Sequence, residues 1–259
     1  MRHAFHVLLV MTALVALRQP LDAQACAGHQ FTANSQSSSS YIRYCVTDNG
    51  NITSIISPFD FPQVGSPEGN PYDEGYGLCQ ESPIAEYHDY YTWTSGNWDP
   101  AIILSSSSSV IKISRRTADG NWTLVQTISK IAATGSIKIV MALTNNQSVE
   151  KVAYLLRFVD TYELGFAVRG GSLNSAWRLW PPSQLHYGLE LLNAAKSPFA
   201  YRQGFVKDAL TIPNPCDFAA GTDADGFQAD QVDRHLLYVY AGPVPAKGTR
   251  TVTLNYRVM

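Results

Sequence analysis

From Tyr41 to the C-terminus, apolar residues return at every second position, and a period of two confines a chain to β structure. Ile137, Ile139, Met141 and Leu143 fall on one face, with Lys138 and Thr144 on the other. Val252, Leu254, Tyr256 and Val258 repeat the pattern against Thr251, Thr253, Asn255 and Arg257, which reads as a half-buried strand. Between Lys151 and Val159 the second face is also largely apolar, the composition of a central strand covered on both sides. Turn residues punctuate these runs. Asp48-Asn49-Gly50 separates Tyr41–Val46 from Asn51–Ile56, and Asp119-Gly120 separates Val110–Arg115 from Trp122–Lys130. With the turn at Asn145–Ser148, residues 109–159 read as a four-stranded antiparallel meander.

Two long stretches lack alternation. One runs from Ser57 to Ser82 with Pro58, Pro62, Pro67 and Pro71; the other runs from Ile212 to Gln231 with Pro213 and Pro215. Both read as loops, and loops of that length are functional or held by cross-links. The apolar run Leu236–Tyr240 is broken by Gly242-Pro243-Val244-Pro245. A helix competes only at Gln184–Lys196, where Gly188 and the alternation of Tyr187, Leu189 and Leu191 favour a strand. The serine runs Ser37–Ser40 and Ser105–Ser109 read as exposed loop or edge segments. No linker divides the chain, so the expected fold is all-β: a large two-sheet antiparallel β-sandwich over residues 26–259.

The first 25 residues read as a signal peptide. Arg2 precedes the apolar run Val7–Leu17, and Ala23-Gln24-Ala25 offers a cleavage site. Eleven apolar residues rise about 16 Å as a helix, too short to span a bilayer. The expected product is secreted, periplasmic or held at the cell surface, and begins at or near Cys26. A lipid on Cys26 is the alternative, although Gln24 makes a poor lipobox. The exported chain keeps Cys26, Cys45, Cys79 and Cys216, an even number that reads as disulfides in an oxidising compartment. Three pairings are open. Cys79 and Cys216 sit in the two proline-rich stretches, so Cys79–Cys216 with Cys26–Cys45 is the expected pair of bridges.

Charge excludes several partners. With 19 Lys and Arg against 21 Asp and Glu, the chain has no broad basic field for nucleic acid or anionic lipid. No phosphate-cradling loop, zinc-protease helix, nucleophile elbow or dinucleotide fingerprint is present, and no cofactor or metal is implied. Asp223-Ala224-Asp225-Gly226, with Asp230, lacks one carboxylate step of a calcium loop and reads as a turn. Asn51, Asn121 and Asn146 open Asn-x-Ser/Thr sequons in predicted turns.

Two groups of residues could carry function. In a strand, Glu86 and His88 share one face and Asp89 faces the other. A carboxylate beside an imidazole is an acid–base pair, and Glu81, Glu86 and Asp89 are candidates for the two carboxyls of a glycosidase. The aromatic candidates are Trp93, Trp98, Trp177 and Trp180, whose rings could stack on sugar faces. Arg157 and Asp160 are expected to form a structural ion pair.

Thr144-Asn145-Asn146, Leu155–Asp160, Tyr187-Gly188-Leu189-Glu190-Leu191, Asn214-Pro215-Cys216 and Lys247–Arg257 are similar to segments of uncharacterised exported bacterial β-sandwich proteins. More distantly, the chain resembles the supersandwich of galactose mutarotase-like domains. The resemblance covers the half of the chain from Ile137 onward and implies a fold and a compartment. No position matches the mutarotase acid–base motifs, so it implies no activity. The expected function is non-enzymatic binding, to a carbohydrate or a cell-surface protein. The alternative is a carbohydrate-active enzyme using Glu86, His88 or Asp89.

Overall fold

The computed structural model describes residues 26, 28–33, 42–56, 62–64, 74–91, 95–161, 167–172, 174–180, 187–194, 199, 201–208, 214–217, 228–230 and 234–258. The signal segment, Trp93 and the Asp223–Gly226 cluster lie outside the described residues.

Three antiparallel sheets make up the described chain. The N-terminal sheet holds β1 (His29–Ala33), β2 (Ile42–Val46), β3 (Ile52–Ile56) and β4 (Pro62–Val64) in sequence order. A six-stranded sheet is formed by β5 (Glu74–Gln80), β6 (Ala85–Asp89), β7 (Ser95–Gly96), β12 (Lys151–Thr161), β16 (Tyr201–Asp208) and β18 (Arg234–Val244), in the order β16-β18-β12-β5-β6-β7. The nine-stranded sheet contains β8 (Ile102–Ser106), β9 (Val110–Arg116), β10 (Trp122–Ile131), β11 (Ser136–Asn145), β13 (Ala167–Gly171), β14 (Ser175–Trp180), β15 (Tyr187–Asn193), β17 (Gln228–Asp230) and β19 (Thr249–Val258). Its order is β17-β13-β14-β15-β19-β11-β10-β9-β8. Leu78, Leu155 and Tyr238 from the six-stranded sheet share one apolar core with Ile113, Leu124, Ile139 and Leu254 from the nine-stranded sheet. The fold is the expected sandwich. To it the chain adds the N-terminal sheet, whose Phe31, Ile42 and Ile55 join the same core.

Strand β12 is the axis of the six-stranded sheet. Leu155 and Val159 face the shared core, while Tyr154, Leu156 and Phe158 face a second cluster with Leu237, Val239 and Tyr90. Each fully buried Leu contributes roughly 1.5–3 kcal/mol relative to exposure, so both faces anchor the strand. The doubly apolar reading of this segment therefore holds. Its placement in a meander does not: β9, β10 and β11 are consecutive neighbours, but β12 pairs with β18 and β5 in the other sheet. Among the described residues, the six-stranded sheet has an apolar cluster on each side of β12, which suits a strand apolar on both faces.

Two further expectations are corrected. The segment Glu74–Gln80, read as part of a proline-rich loop, is a wholly buried central strand. Its glycines disguised it. A Cβ at Gly75 would meet the Asp89 carbonyl and the Asn51 amide, and one at Gly77 would meet Pro215, the Tyr90 hydroxyl and Leu156. These glycines mark close approach across a sheet rather than a turn. The strand β18 also runs on through Gly242 and Pro243 to Val244, opposite Lys151–Ala153 of β12. Its neighbour β16 has ended by then, and an open edge tolerates proline. The strand reading of Gln184–Lys196 holds for its core, as β15.

Both hairpin turns form with glycine in the left-handed region, Gly50 at φ 91° and Gly120 at φ 75°. All three sequon side chains are engaged in the fold. The Asn51 amide donates to the Glu74 carbonyl and to Asp89, that of Asn121 to Asp119, and that of Asn146 to the Gly120 carbonyl and Thr123.

Disulfides join Cys26 to Cys45 and Cys79 to Cys216, the expected pairing. Cys79, however, lies on β5 and reaches Cys216 across the outer face of the six-stranded sheet, in the short 3-10 turn Pro215–Asp217. The Cys26 thiol is consumed by its bridge, which leaves none for a lipid. Among the described residues no helix is long and apolar enough to cross a membrane.

Candidate functional site

Strand β6 carries opposite chemistry on its two faces, and the two faces do different things. On the inner face, Tyr87 and Asp89 are buried. On the outer face, Glu86 and His88 are half-buried, with Glu86 Oε1 3.0 Å from His88 Nδ1. The sheet register explains how an imidazole fits there. Gly77 of β5 and Gly96 of β7 flank His88 on either side, so neither neighbouring strand presents a side chain beside the ring. The ring stacks on Tyr90 at 5.2 Å between centroids, and Tyr90 packs on Phe158 at 4.8 Å. Burial, reinforced by the Glu86 charge, holds the Tyr90 phenol well above its ordinary pKa. Asn97 donates to the Glu86 carbonyl at 2.7 Å. Cys79 lies opposite Glu86 in the register, so its disulfide brings the Pro215–Asp217 turn to the border of the pair.

The inner face belongs to a buried charge network. Asp89 is paired with Arg115, and accepts from the Asn51 amide at 3.0 Å and the Asn49 amide at 3.2 Å. Arg115 also donates to the Tyr76 hydroxyl at 2.9 Å. Deeper in, Arg157 and Glu74 are both without exposed side-chain surface. Glu74 Oε1 accepts from Arg157 Nε at 2.5 Å and from the Tyr256 hydroxyl at 2.5 Å; Oε2 accepts from Arg157 Nη2 at 2.7 Å and the Ile52 amide at 2.5 Å. Burial pushes the Glu74 carboxyl above its ordinary range, with Arg157, Tyr256 and the Ile52 amide opposing. Four donors face its two oxygens, and each of these hydrogen bonds favours the charged form. Arg157 is completed by Gln126 Oε1 at 2.6 Å and the Gly50 carbonyl at 3.0 Å. The Gly50 end of the β2–β3 turn thus meets both sheets: the Gly50 carbonyl accepts from Arg157 of β12, and that of Asn49 from Tyr76 of β5 and Gln126 of β10.

The expected Arg157–Asp160 pair does not form. Residues three apart in a strand point to opposite faces, and Arg157 turns inward to Glu74 instead. Burial also raises the phenols of Tyr44, Tyr76, Tyr240 and Tyr256 above their ordinary value. A raised folded-state pKa means their stabilisation is complete below the unfolded value of about 10 and is lost as pH rises toward the folded values. A spectrophotometric alkaline titration is expected to show exposed tyrosines ionising near that value and the buried set ionising only with unfolding. Reversible ionisation of every tyrosine in the folded chain would contradict these placements.

The tryptophan candidates do not come together as a described platform. Trp98 packs edge-on against Tyr76 at 5.6 Å and Tyr87 at 6.1 Å, and the Arg115 guanidinium sits 5.6 Å from its ring centroid. Trp177 is half-buried on β14. Trp180 ends β14, opposite Tyr187, and its side chain lies outside the described residues, as does all of Trp93. Glu81 is exposed in the turn between β5 and β6. Asp230 ends β17.

Sequence reasoning missed a second polar constellation. His29 Nε2 lies 3.2 Å from Asp48, and its Nδ1 lies 3.4 Å from the Ser106 hydroxyl. Its members come from β1, the β2–β3 turn and β8, so no local motif announces it. Glu74 was hidden the same way, inside a strand read as loop.

No family model matches the sequence, and no characterised protein matches it at the level of sequence. Its fold does have counterparts. A bacterial glucoamylase solved with acarbose superposes over 87% of this chain and 31% of its own, at 10% identity and a TM-score of 0.56. This chain therefore spans about a third of that enzyme, and the likeness is one of fold. A protein of Escherichia coli K12 provisionally assigned as an aldose 1-epimerase aligns over 89% of this chain and 99% of its own, at 11% identity and a TM-score of 0.49.

Proposed function

We propose that the chain acts on a carbohydrate outside the cytoplasm, with Glu86 and His88 as the pair that meets the sugar. The observation that carries this reading is their 3.0 Å contact on the half-exposed outer face of β6. A carboxylate on Nδ1 orients the ring and fixes its tautomer, and the pair can pass a proton to or from a sugar oxygen. Hydrolysis by two carboxyls needs a second acid about 5–10 Å away across the sugar. Asp89 faces the core, and proton transfer without glycosidic cleavage needs only the carboxylate and imidazole that the outer face of β6 brings together. Interconversion of sugar anomers is chemistry of that class. The fold likeness to a carbohydrate-processing enzyme and the two disulfides, which form in oxidising compartments, support the setting. Trp93, Trp177 and Trp180 are candidates for a separate sugar-stacking surface, since Trp177 lies on the nine-stranded sheet on the face of β14 opposite to the core residue Ala176.

The test follows anomer exchange of free aldoses by NMR, beside binding measured with the same sugars. Glu86→Gln and His88→Asn are each expected to slow exchange by about 10²-fold or more, with the fold intact. Asp89→Asn is expected to destabilise the fold by leaving Arg115 buried without its counter-charge. Sugar binding without exchange would assign the face to recognition alone. Neither binding nor exchange in the parent protein would end the reading.

A further inference from the structure

Strand β8 closes the nine-stranded sheet. One of its edges pairs with β9, and no described strand pairs with the other. All five of its residues are exposed, with Ile102 at 63%, Leu104 at 50% and Ile103 at 40%. An open edge is a row of amide and carbonyl groups that another extended chain can satisfy, and monomeric proteins blunt such edges with lysine, proline or inward charges. From Ile102 to Val110 this chain has none of these. Its one blunting feature is the register shift between Ile103 and Ser105, which takes Leu104 out of the ladder toward β9 and leaves Ile102, Ile103, Ser105 and Ser106 paired. We infer that the outer edge of β8 is an interaction surface whose occupant is β8 of a second copy, paired antiparallel across a two-fold axis.

Charge decides the occupant. In an isologous pairing each residue meets itself or its near neighbours, so any charge on the strand would face its like. A strand of isoleucine, leucine and serine meets its own copy without that penalty. A charged peptide would find no counter-charge along this edge. Pairing also covers the consecutive apolar residues that otherwise remain in water. Strands of five residues bury little against the roughly 1,200–2,000 Å² of a standard stable interface, so the dimer depends on concentration.

Sedimentation velocity of the intact, oxidised chain tests this. The parent is expected to shift from monomer to dimer as concentration rises, and Ile103→Lys and Leu104→Lys to remain monomeric where the parent is dimeric. Val149→Lys, in the exposed β11–β12 turn, is expected to dimerise like the parent. None of the four cysteines is free, so Leu104→Cys introduces the only thiol, and its oxidation is expected to give a covalent dimer even if a lysine variant folds poorly. A parent that is monomeric throughout overturns the inference. So does a dimer indifferent to both lysine substitutions, or a Leu104→Cys chain that does not cross-link while the parent dimerises.

Discussion

Arg157→Met is expected to lower the stability of the fold by about 3–5 kcal/mol, the cost of leaving a buried charge without its partner. Methionine matches the volume of the arginine stem, so the loss comes from chemistry rather than from a cavity. Glu74 would keep its contacts with Tyr256 and the Ile52 amide but lose the guanidinium, and the Gly50 carbonyl and Gln126 would lose a donor. Glu74→Gln alone leaves Arg157 charged and buried, and is expected to cost a similar amount. The double variant removes both charges together. Its loss is expected to fall short of the sum of the singles by about 0.5–3 kcal/mol, the range of coupling between contacting residues. Denaturant unfolding of the four proteins measures this cycle. If Arg157→Met unfolds at the parent's midpoint, the network has no energetic role and the burial of Gly50 needs another explanation.

Removing the two disulfides is expected to have unequal effects. Cys79–Cys216 spans 137 residues and Cys26–Cys45 spans 19. The chain-entropy model gives about 5 kcal/mol for the first and about 3 kcal/mol for the second. Location widens the gap. The Cys26–Cys45 bridge ties only the N-terminal arm to β2, whereas Cys79–Cys216 fixes the Pro215–Asp217 turn over the outer face of β5, β6 and β12. Cys216→Ser with Cys79→Ser should therefore lower the melting temperature more than Cys26→Ser with Cys45→Ser. It should also loosen the border of the Glu86–His88 pair. Equal losses would mean that the long-range bridge joins segments already held by packing.

Much of the fold could be read from the sequence because most strands obey a local rule. In β9, β10, β11 and β19 one face meets the core and the other meets water, so alternation shows directly in the residues. The rule fails where both faces are covered. Strand β5 has no solvent-exposed face and uses glycine for clearance, so its sequence imitates a loop. Strand β12 was recognisable as central, but nothing local said which sheet it would enter. The outer-face pair was readable in outline, since period two alone places Glu86 beside His88 and turns Asp89 away. That Asp89 meets Arg115 was not readable, because those residues lie on different sheets.

The sequence by itself determined the class of fold, the two main hairpin turns and an even set of cysteines suited to cross-linking, all of them consequences of period, turn chemistry and counting. Tertiary structure decided which strands share a sheet and which charges are buried together. It also decided that the Asn49 and Gly50 carbonyls of a polar turn would accept from side chains of both sheets. The reason is physical. Alternation and turns are set by neighbours in the chain, whereas Glu74 and Arg157, 83 residues apart, meet only because β5 and β12 are adjacent strands. Their charges are tolerable in the core only once Tyr256, Gln126 and the Gly50 carbonyl have arrived from three other elements to complete the shell of partners.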